Sequence, residues 1–161
     1  MKRLRPGVAF ILRNSLGDIL ICERVDWPGT WQFPQGGINR GETPLAAVVR
    51  EVHEELGIGP SAYRIVETRG PYGYSFHGLR KKEGYDGQEH TYFLADATGD
   101  SPHGLPDVAN VEFPEFRSAR WVSPGDFQLT WLPKIKRDVY RRVFADFFGG
   151  LPVSPTMISQ E

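Results

Sequence analysis

The sequence is poor in three features that would point to specialised classes of protein: cysteine, net charge and long apolar runs. Its 161 residues include one cysteine and carry a formal net charge of −1. A single cysteine excludes an internal disulfide framework and fits a reducing compartment, while a charge near zero gives no overall attraction to nucleic acids or membranes. No segment reaches the roughly 20 apolar residues that a membrane-spanning helix needs. We therefore expect a cytoplasmic protein that is not attached to a membrane.

The pattern of apolar residues and turn signals predicts short strands around a central helix. Expected strands cover 8–12, 19–22, 62–68, 90–95 and 116–122, and expected helices cover 45–56 and 133–148. Residues 27–37, rich in Trp, Pro and Gly, and residues 71–88, rich in Gly and Tyr, are predicted to be loops. This arrangement indicates the α+β class with a mixed sheet. We expect one domain over residues 1–148 and a flexible tail at 149–161.

The helix at 45–56 has clear start and stop signals. Thr43 is a suitable N-cap, Pro44 fits the first helical position, and Gly57 ends the helix. At about 100° per residue, apolar side chains fall on one stripe that is expected to face the core. The residues of this stripe are Leu45, Val48, Val49, Val52 and Leu56.

Three glutamates occupy a different sector of the same helix. Glu51 lies one turn from both Glu54 and Glu55, so the three carboxylates converge. Each like-charge pair destabilises a helix by a few tenths of a kcal/mol, and the helix dipole disfavours negative charge in the last turn. A hard divalent cation such as Mg²⁺ or Mn²⁺, which takes oxygen ligands, would account for the cluster. The alternative is a solvated acidic face balanced by Arg or Lys.

The spacing around these glutamates resembles the signature of the Nudix hydrolase family. That signature reads glycine, five residues, glutamate, seven residues, then Arg-Glu-aliphatic-any-Glu-Glu-any-Gly-aliphatic. The chain matches it at Gly36, Glu42, Arg50, Glu51, Val52, Glu54, Glu55, Gly57 and Ile58. The resemblance implies an α/β/α sandwich with a central mixed sheet and a catalytic loop-helix-loop. It also implies hydrolysis of a phosphoric anhydride bond in a substituted nucleoside diphosphate, with two or more Mg²⁺ or Mn²⁺ ions.

The resemblance also implies roles for individual residues of the signature. Glu51, Glu54 and Glu55 are expected to bind metal, and Glu54 or Glu55 is also expected to act as the general base. Arg50 is expected to orient a neighbouring glutamate, and a backbone carbonyl at Gly36 to complete the metal ligands. Pyrophosphate hydrolysis needs charge neutralisation, an oriented water and a stabilised leaving phosphate, and this set of residues suits all three needs.

Residues outside the signature narrow the resemblance to one branch of the family. This branch contains the bacterial RNA pyrophosphohydrolases and their relatives, the diadenosine tetraphosphate hydrolases. The segments that carry the resemblance are 5–8, 31–39, 87–88, 114–116, 121–122 and 136–140. The resemblance implies that Glu115, on a loop opposite the helix, is a further metal ligand. It implies a substrate site formed by Arg5, Arg24, Tyr74, Gln88 and Lys136.

Each of these roles has a simpler alternative. Arg5, Arg24 and Lys136 would bind phosphates or the RNA backbone, or else they are surface cations. Tyr74 would line the nucleotide site, where stacking on aromatic rings holds unpaired bases, or it is a core aromatic. Glu115 could be a solvated loop residue.

The branch leaves two substrates open, namely RNA with a 5′ triphosphate and dinucleoside polyphosphates. Segment 71–88 departs from the pattern of the RNA enzymes, although Arg80, Lys81 and Lys82 keep it basic. Glu23 stands before Arg24 where a second arginine is expected. A third possibility is a Nudix-fold binding module without catalysis, although such modules usually lose glutamates that this chain keeps. The sequence indicates no obligate protein partner.

Overall fold

A mixed β-sheet forms the centre of the computed structural model, which describes residues 2–76, 84–98 and 104–151. Its strands are β1 (Leu4–Arg13), β2 (Ile19–Arg24), β3 (Trp31–Gln32), β4 (Gln35–Gly37), β5 (Tyr63–Ser75), β6 (Gly87–Ala97) and β7 (Phe116–Val122). The α-helices are α1 (Pro44–Leu56) and α2 (Lys134–Phe148). The strand order is β3-β2-β1-β6-β5, and β4 also pairs with β1 and β7 with β2. Strands β1 and β6 run parallel, and the other pairs are antiparallel.

The central strands are buried on both faces. Along β1, Val8, Phe10 and Leu12 pack in the cluster that contains α1, whereas Ala9 and Ile11 pack in the cluster that contains α2. Alternate side chains of a strand point to opposite faces, so a strand covered on both sides reads as a continuous apolar run. The α+β class indicated by the pattern of strands and helices and the α/β/α sandwich implied by the resemblance are therefore confirmed.

Helix α1 begins and ends as its sequence predicts, but its buried stripe is shifted. Thr43 Oγ1 accepts a hydrogen bond from the Ala46 amide at 3.1 Å, and Gly57 adopts the left-handed conformation with φ of 70°. The prediction that Leu45 faces the core is wrong, because this side chain is 54% exposed. Residues 44–46 are all exposed, so contact with the sheet begins one turn into the helix, at the small side chain of Ala47.

Two segments predicted as loops contain strand residues. Strands β3 and β4 lie within 27–37, while β5 continues to Ser75 and β6 begins at Gly87. The register of β5 shifts between Arg69 and Tyr72, so Gly70 and Pro71 mark a bulge instead of the end of the strand.

Parts of the predictions fall outside the described residues. The basic cluster at 80–82 does so, as does most of the tail, and the single domain over 1–148 stays a prediction. None of the helices in the described ranges is long and apolar enough to cross a membrane.

Candidate active site

The carboxylate of Glu51 lies directly against the backbone of β4. A Cβ added at Gly36 would overlap this carboxylate, so no side chain fits at position 36 while Glu51 keeps its place. Pairing of β4 with β1 fixes the glycine beneath the helix. The requirement for glycine in the signature therefore has a steric cause here. The Gly36 carbonyl oxygen lies against β1, 2.6 Å from where a Cβ of Gly7 would stand.

Arg50 connects the loop before α1 to the glutamates on the helix. Its Nε and Nη2 donate to the two carboxylate oxygens of Glu42, both at 2.9 Å, and Nη2 also donates to the Gly37 carbonyl at 2.8 Å. Its Nη1 donates to Glu51 at 2.7 Å and more weakly to Glu54 at 3.4 Å. These bonds hold Glu51 against β4. Hydrogen bonds from Arg50, then from the Asn39 amide, lower the pKa of Glu42 to about 2.

Glu55 is an acidic side chain buried at the end of α1. It is only 3% exposed, and neither of its carboxylate oxygens has a hydrogen-bond partner among the described residues. Burial, contact with Glu115 and the nearby charge of Glu51 together raise its pKa to about 11. Burying a carboxylate without donors is costly, so such a group either keeps its proton or binds a cation.

The four predicted acidic ligands lie together at different depths. Glu55 is buried, Glu51 is half-buried, and Glu54 and Glu115 are exposed. The loop that carries Glu115 is attached to the end of β2, because the Val25 amide donates to the Glu115 carbonyl at 2.9 Å. Within the described ranges, no group of three or more His, Cys, Asp or Glu side chains is already arranged around a metal position. The Arg50 guanidinium, which donates to Glu51 at 2.7 Å, offsets part of the negative charge of this group.

A cleft of about 500 Å³ opens beside the carboxylates. It is lined by Arg24, Val25, Asp26, Gln32, Gln35, Tyr74, Phe76, Gln88, Pro114, Glu115, Phe116 and Lys136. Four of the five predicted substrate residues therefore share one cavity with Glu115. The fifth, Arg5, does not line the cleft, and its Nη2 instead lies 2.7 Å from where a Cβ of Gly37 would stand.

The wall formed by β5 and β6 presents Tyr74 and Gln88 as a pair. The strand register places them opposite each other, and Tyr74 Oη donates to Gln88 Oε1 at 2.7 Å. Burial raises the pKa of Tyr74 to about 12, so it remains a hydrogen-bond donor at neutral pH. Its ring also packs against the apolar cluster below α2, and Tyr74 is thus both a core aromatic and a lining residue.

The two cations of the cleft each have a partner that the sequence analysis does not predict. Arg24 Nε and Nη2 donate to the two carboxylate oxygens of Asp26, at 2.8 and 2.6 Å. Lys136 Nζ donates to Gln32 Oε1 at 3.2 Å. Lys136 is only 7% exposed, so it is not an ordinary surface cation. Spacing along the chain could have suggested Asp26, but the contact with Gln32 joins residues far apart in sequence.

A second cavity of about 480 Å³ lies on the other side of Glu115. Its lining residues are His53, Glu54, Glu55, Gly57, Val111, Glu112, Phe113 and Glu115. Phe113 is 80% exposed beside it. Because Glu115 lines both cavities, a molecule bound at the carboxylates has room to extend in two directions.

Comparison with known proteins places these features in one family. The profile of the NUDIX domain matches residues 3–143. An RNA pyrophosphohydrolase of Helicobacter pylori strain P12 is 37% identical over 151 residues, which cover 91% of this chain and 94% of that protein. An RNA pyrophosphohydrolase of Acinetobacter baylyi is 35% identical over 157 residues, covering 94% of this chain and 92% of the relative.

Solved structures share the fold at low sequence identity. The chain superimposes on a C. elegans Ap4A hydrolase with a TM-score of 0.60 and 19% identity, covering 91% of this chain and 99% of the other. The dihydroneopterin triphosphate pyrophosphohydrolase of E. coli gives a TM-score of 0.61 at 20% identity. The match covers 91% of this chain and 97% of the other. The chain therefore belongs to the Nudix family, whose hydrolases act on phosphoric anhydride bonds and generally use divalent metal ions.

Proposed function

We propose that the protein removes pyrophosphate, or phosphates one at a time, from the 5′ end of triphosphorylated RNA. The observation that carries this proposal is the position of Glu115. It shares one cavity with the buried Glu55 and also lines the cleft that contains two cations. The carboxylates thus lie where the phosphates of a nucleotide held in the cleft would reach. The sequence relatives named RNA pyrophosphohydrolase support RNA as the nucleotide.

The carboxylates suit Mg²⁺ or Mn²⁺. Both ions take hard oxygen ligands, and the two oxygens of Glu55 are buried without a donor. Glu51, Glu54, Glu55 and Glu115, with the Gly36 carbonyl, would hold two or more ions. When bound, these ions offset the negative charge of the substrate and make a coordinated water easier to deprotonate.

The side chains of the protein would perform the remaining steps. Glu54 or Glu55 accepts a proton from the attacking water, while the water oxygen forms a bond to the phosphorus nearest the RNA. The bridging P–O bond then breaks, and pyrophosphate leaves with the bonding electron pair. Arg50 keeps Glu51 in place through its 2.7 Å hydrogen bond, so it is a positioning residue.

The cleft would hold the 5′ end of the RNA. Arg24 and Lys136 supply positive charge for phosphate oxygens, while Tyr74 and Gln88 supply a ring and an amide for an unpaired base. Arg5 does not line the cleft. Its guanidinium lies beside the backbone of β4 at Gly37, and it would bind a phosphate from there. A cytoplasmic location is part of this proposal, because the substrate is found there.

A dinucleoside polyphosphate is the second candidate substrate. The second cavity favours it, since an exposed aromatic ring at Phe113 could stack on the base at the far end of such a molecule. The first cavity would then hold the other nucleoside.

A direct comparison of substrates tests the proposal. We expect 5′-triphosphate RNA to be hydrolysed with a much higher kcat/KM than diadenosine tetraphosphate, in Mg²⁺ or Mn²⁺. Release of pyrophosphate and orthophosphate should be measured separately. Preference for the dinucleotide would favour the second candidate, and cleavage of neither would refute both.

A further inference from the structure

Two buried polar side chains meet at the wall of the cleft. Gln32 is 4% exposed and Lys136 is 7% exposed, and the Lys136 ammonium donates to the Gln32 amide oxygen at 3.2 Å. Removing an ammonium group from water is costly unless polar groups replace the lost water. The amide of Gln32 therefore helps Lys136 to keep its charged end inside the cleft.

The amide has a fixed position because β3 is held firmly. This two-residue strand pairs with β2. Beside Gln32, the ring of Trp31 lies 4.5 Å from the guanidinium carbon of Arg120, which also lies 4.6 Å from the ring of Trp131. These cation–π contacts stabilise the position of Trp31, the neighbour of Gln32 in β3. Gln32 thus stands on a strand held by backbone pairing and by the packing of its neighbour.

The chemistry of an amide suits this task better than a carboxylate. An amide oxygen accepts a hydrogen bond and fixes the direction of the ammonium, but being neutral it adds no negative charge beyond that of nearby Asp26. The ammonium charge is felt nearby, since burial and then the charges of Lys136 and Arg5 lower the pKa of His90 to about 4. His90 is therefore neutral at neutral pH and adds no competing charge.

We propose that Gln32 is a positioning residue whose amide oxygen holds the charged Lys136 ammonium in place for a phosphate oxygen of the substrate. This inference rests on the proposed function, because only that proposal brings a phosphate to Lys136. Gln32 itself acts through Lys136 and does not touch the reacting atoms.

A double-mutant cycle tests the dependence of Gln32 on Lys136. We expect Lys136→Met to raise the KM for 5′-triphosphate RNA about tenfold or more, and Gln32→Leu to raise it about threefold to tenfold, with kcat little changed. The double variant should be no worse than Lys136→Met alone, because the two residues act as one unit. Gln88→Leu, which removes the amide bonded to Tyr74, serves as the control. Its fold change in KM should multiply with that of Lys136→Met in the double variant. If the fold changes in KM of Gln32→Leu and Lys136→Met multiply in the double variant, the proposal is overturned.

Gln32→Glu separates position from charge. It keeps an acceptor of the same length but cancels the ammonium charge, so KM should rise at least as much as in Gln32→Leu. It also provides a folded comparison if Gln32→Leu is unstable, as thermal unfolding will show. A KM equal to that of the unchanged protein would contradict the need for a neutral acceptor at position 32.

Labelling of Lys136 tests the inference without any substrate. Acetylation of the free protein by a succinimidyl ester, followed by mass spectrometry, should modify Lys136 several-fold faster in Gln32→Leu and no faster in Gln88→Leu. If the protein cleaves neither substrate yet shows this difference, the proposed function fails and the Gln32–Lys136 inference survives. If the protein is active and Lys136 labelling is unchanged in Gln32→Leu, the inference fails alone.

Discussion

The carboxylate site and the cleft meet at Glu115, yet the chain builds them in different ways. Glu51, Glu54 and Glu55 come from one helix, so the helical repeat alone brings them together. The cleft takes its side chains from α2, from strands β2 to β7, and from the segments after β2, after β5 and before β7. Its shape depends on strand register and on packing between distant segments. Single substitutions in the cleft can therefore alter its lining without disturbing the glutamates of the helix.

This difference separates chemistry from substrate choice. Changes in the helix should lower the rate of the reaction, whereas changes in the cleft should alter substrate affinity with little effect on kcat. Substitutions in each region therefore test whether the two are separate.

Glu54→Gln should have the largest effect. We expect kcat to fall by about 10³-fold, within the 10²–10⁴-fold range typical of general acid–base residues, because the carboxylate is lost as proton acceptor and proposed metal ligand. Its side chain is exposed, so thermal unfolding should hardly change. Glu67→Gln, which removes a carboxylate paired with Arg69 on β5, is the matched control and should keep full activity. An unchanged kcat in Glu54→Gln would exclude the proposed role.

Gly36→Ala should come next, since the new Cβ would overlap the Glu51 carboxylate. Either Glu51 leaves Arg50 or β4 moves, and we expect kcat to fall by about 10²-fold and the free energy of unfolding by about 1–3 kcal/mol. Gly59→Ala is the control, because a Cβ there would meet no atom within 4 Å. Equal activity of the two variants would show that the position of Glu51 does not matter.

Burial of Glu55 predicts a pH-dependent stability. Its pKa is raised from 4.5 to about 11, first by burial and then by Glu115 and Glu51. The folded protein thus binds this proton more tightly than the unfolded chain. The resulting stabilisation is fully present below pH 4.5 and is lost as the pH rises toward the folded pKa. Without metal ions, the protein should be less stable at pH 8 than at pH 6.

Glu55→Gln checks this reasoning by thermal unfolding. The metal-free variant should lose most of the pH dependence and unfold at a higher temperature than the unchanged protein at pH 8. Added Mn²⁺ or Mg²⁺ should stabilise the unchanged protein more than the variant, because binding to the folded state alone raises stability. Identical pH and metal responses in both proteins would show that Glu55 is not the responsible group.

The same contrast explains what could be predicted from sequence. The limits of β7, the caps of α1 and the grouping of its glutamates depend on local patterns, and the structure reproduces them. The burial of Glu55 could not be predicted, because it depends on tertiary packing around the end of the helix and not on the helical repeat. The pairs Arg24–Asp26 and Gln32–Lys136 were missed, because partner choice in the cleft follows tertiary packing.

Asp26→Asn should have the smallest effect and tests the cleft most finely. Arg24 has five N–H donors, and two of them point to Asp26 in the free protein, where its negative charge competes with substrate phosphate. We expect the variant to lower the KM for RNA by about twofold to threefold with kcat unchanged, a size typical of exposed ion pairs. Arg24→Gln should instead raise KM and make binding less sensitive to salt, because one phosphate contact is lost. If Asp26→Asn raises KM as Arg24→Gln does, then Asp26 holds Arg24 in its working position, and the ion pair belongs to the substrate site instead of opposing it.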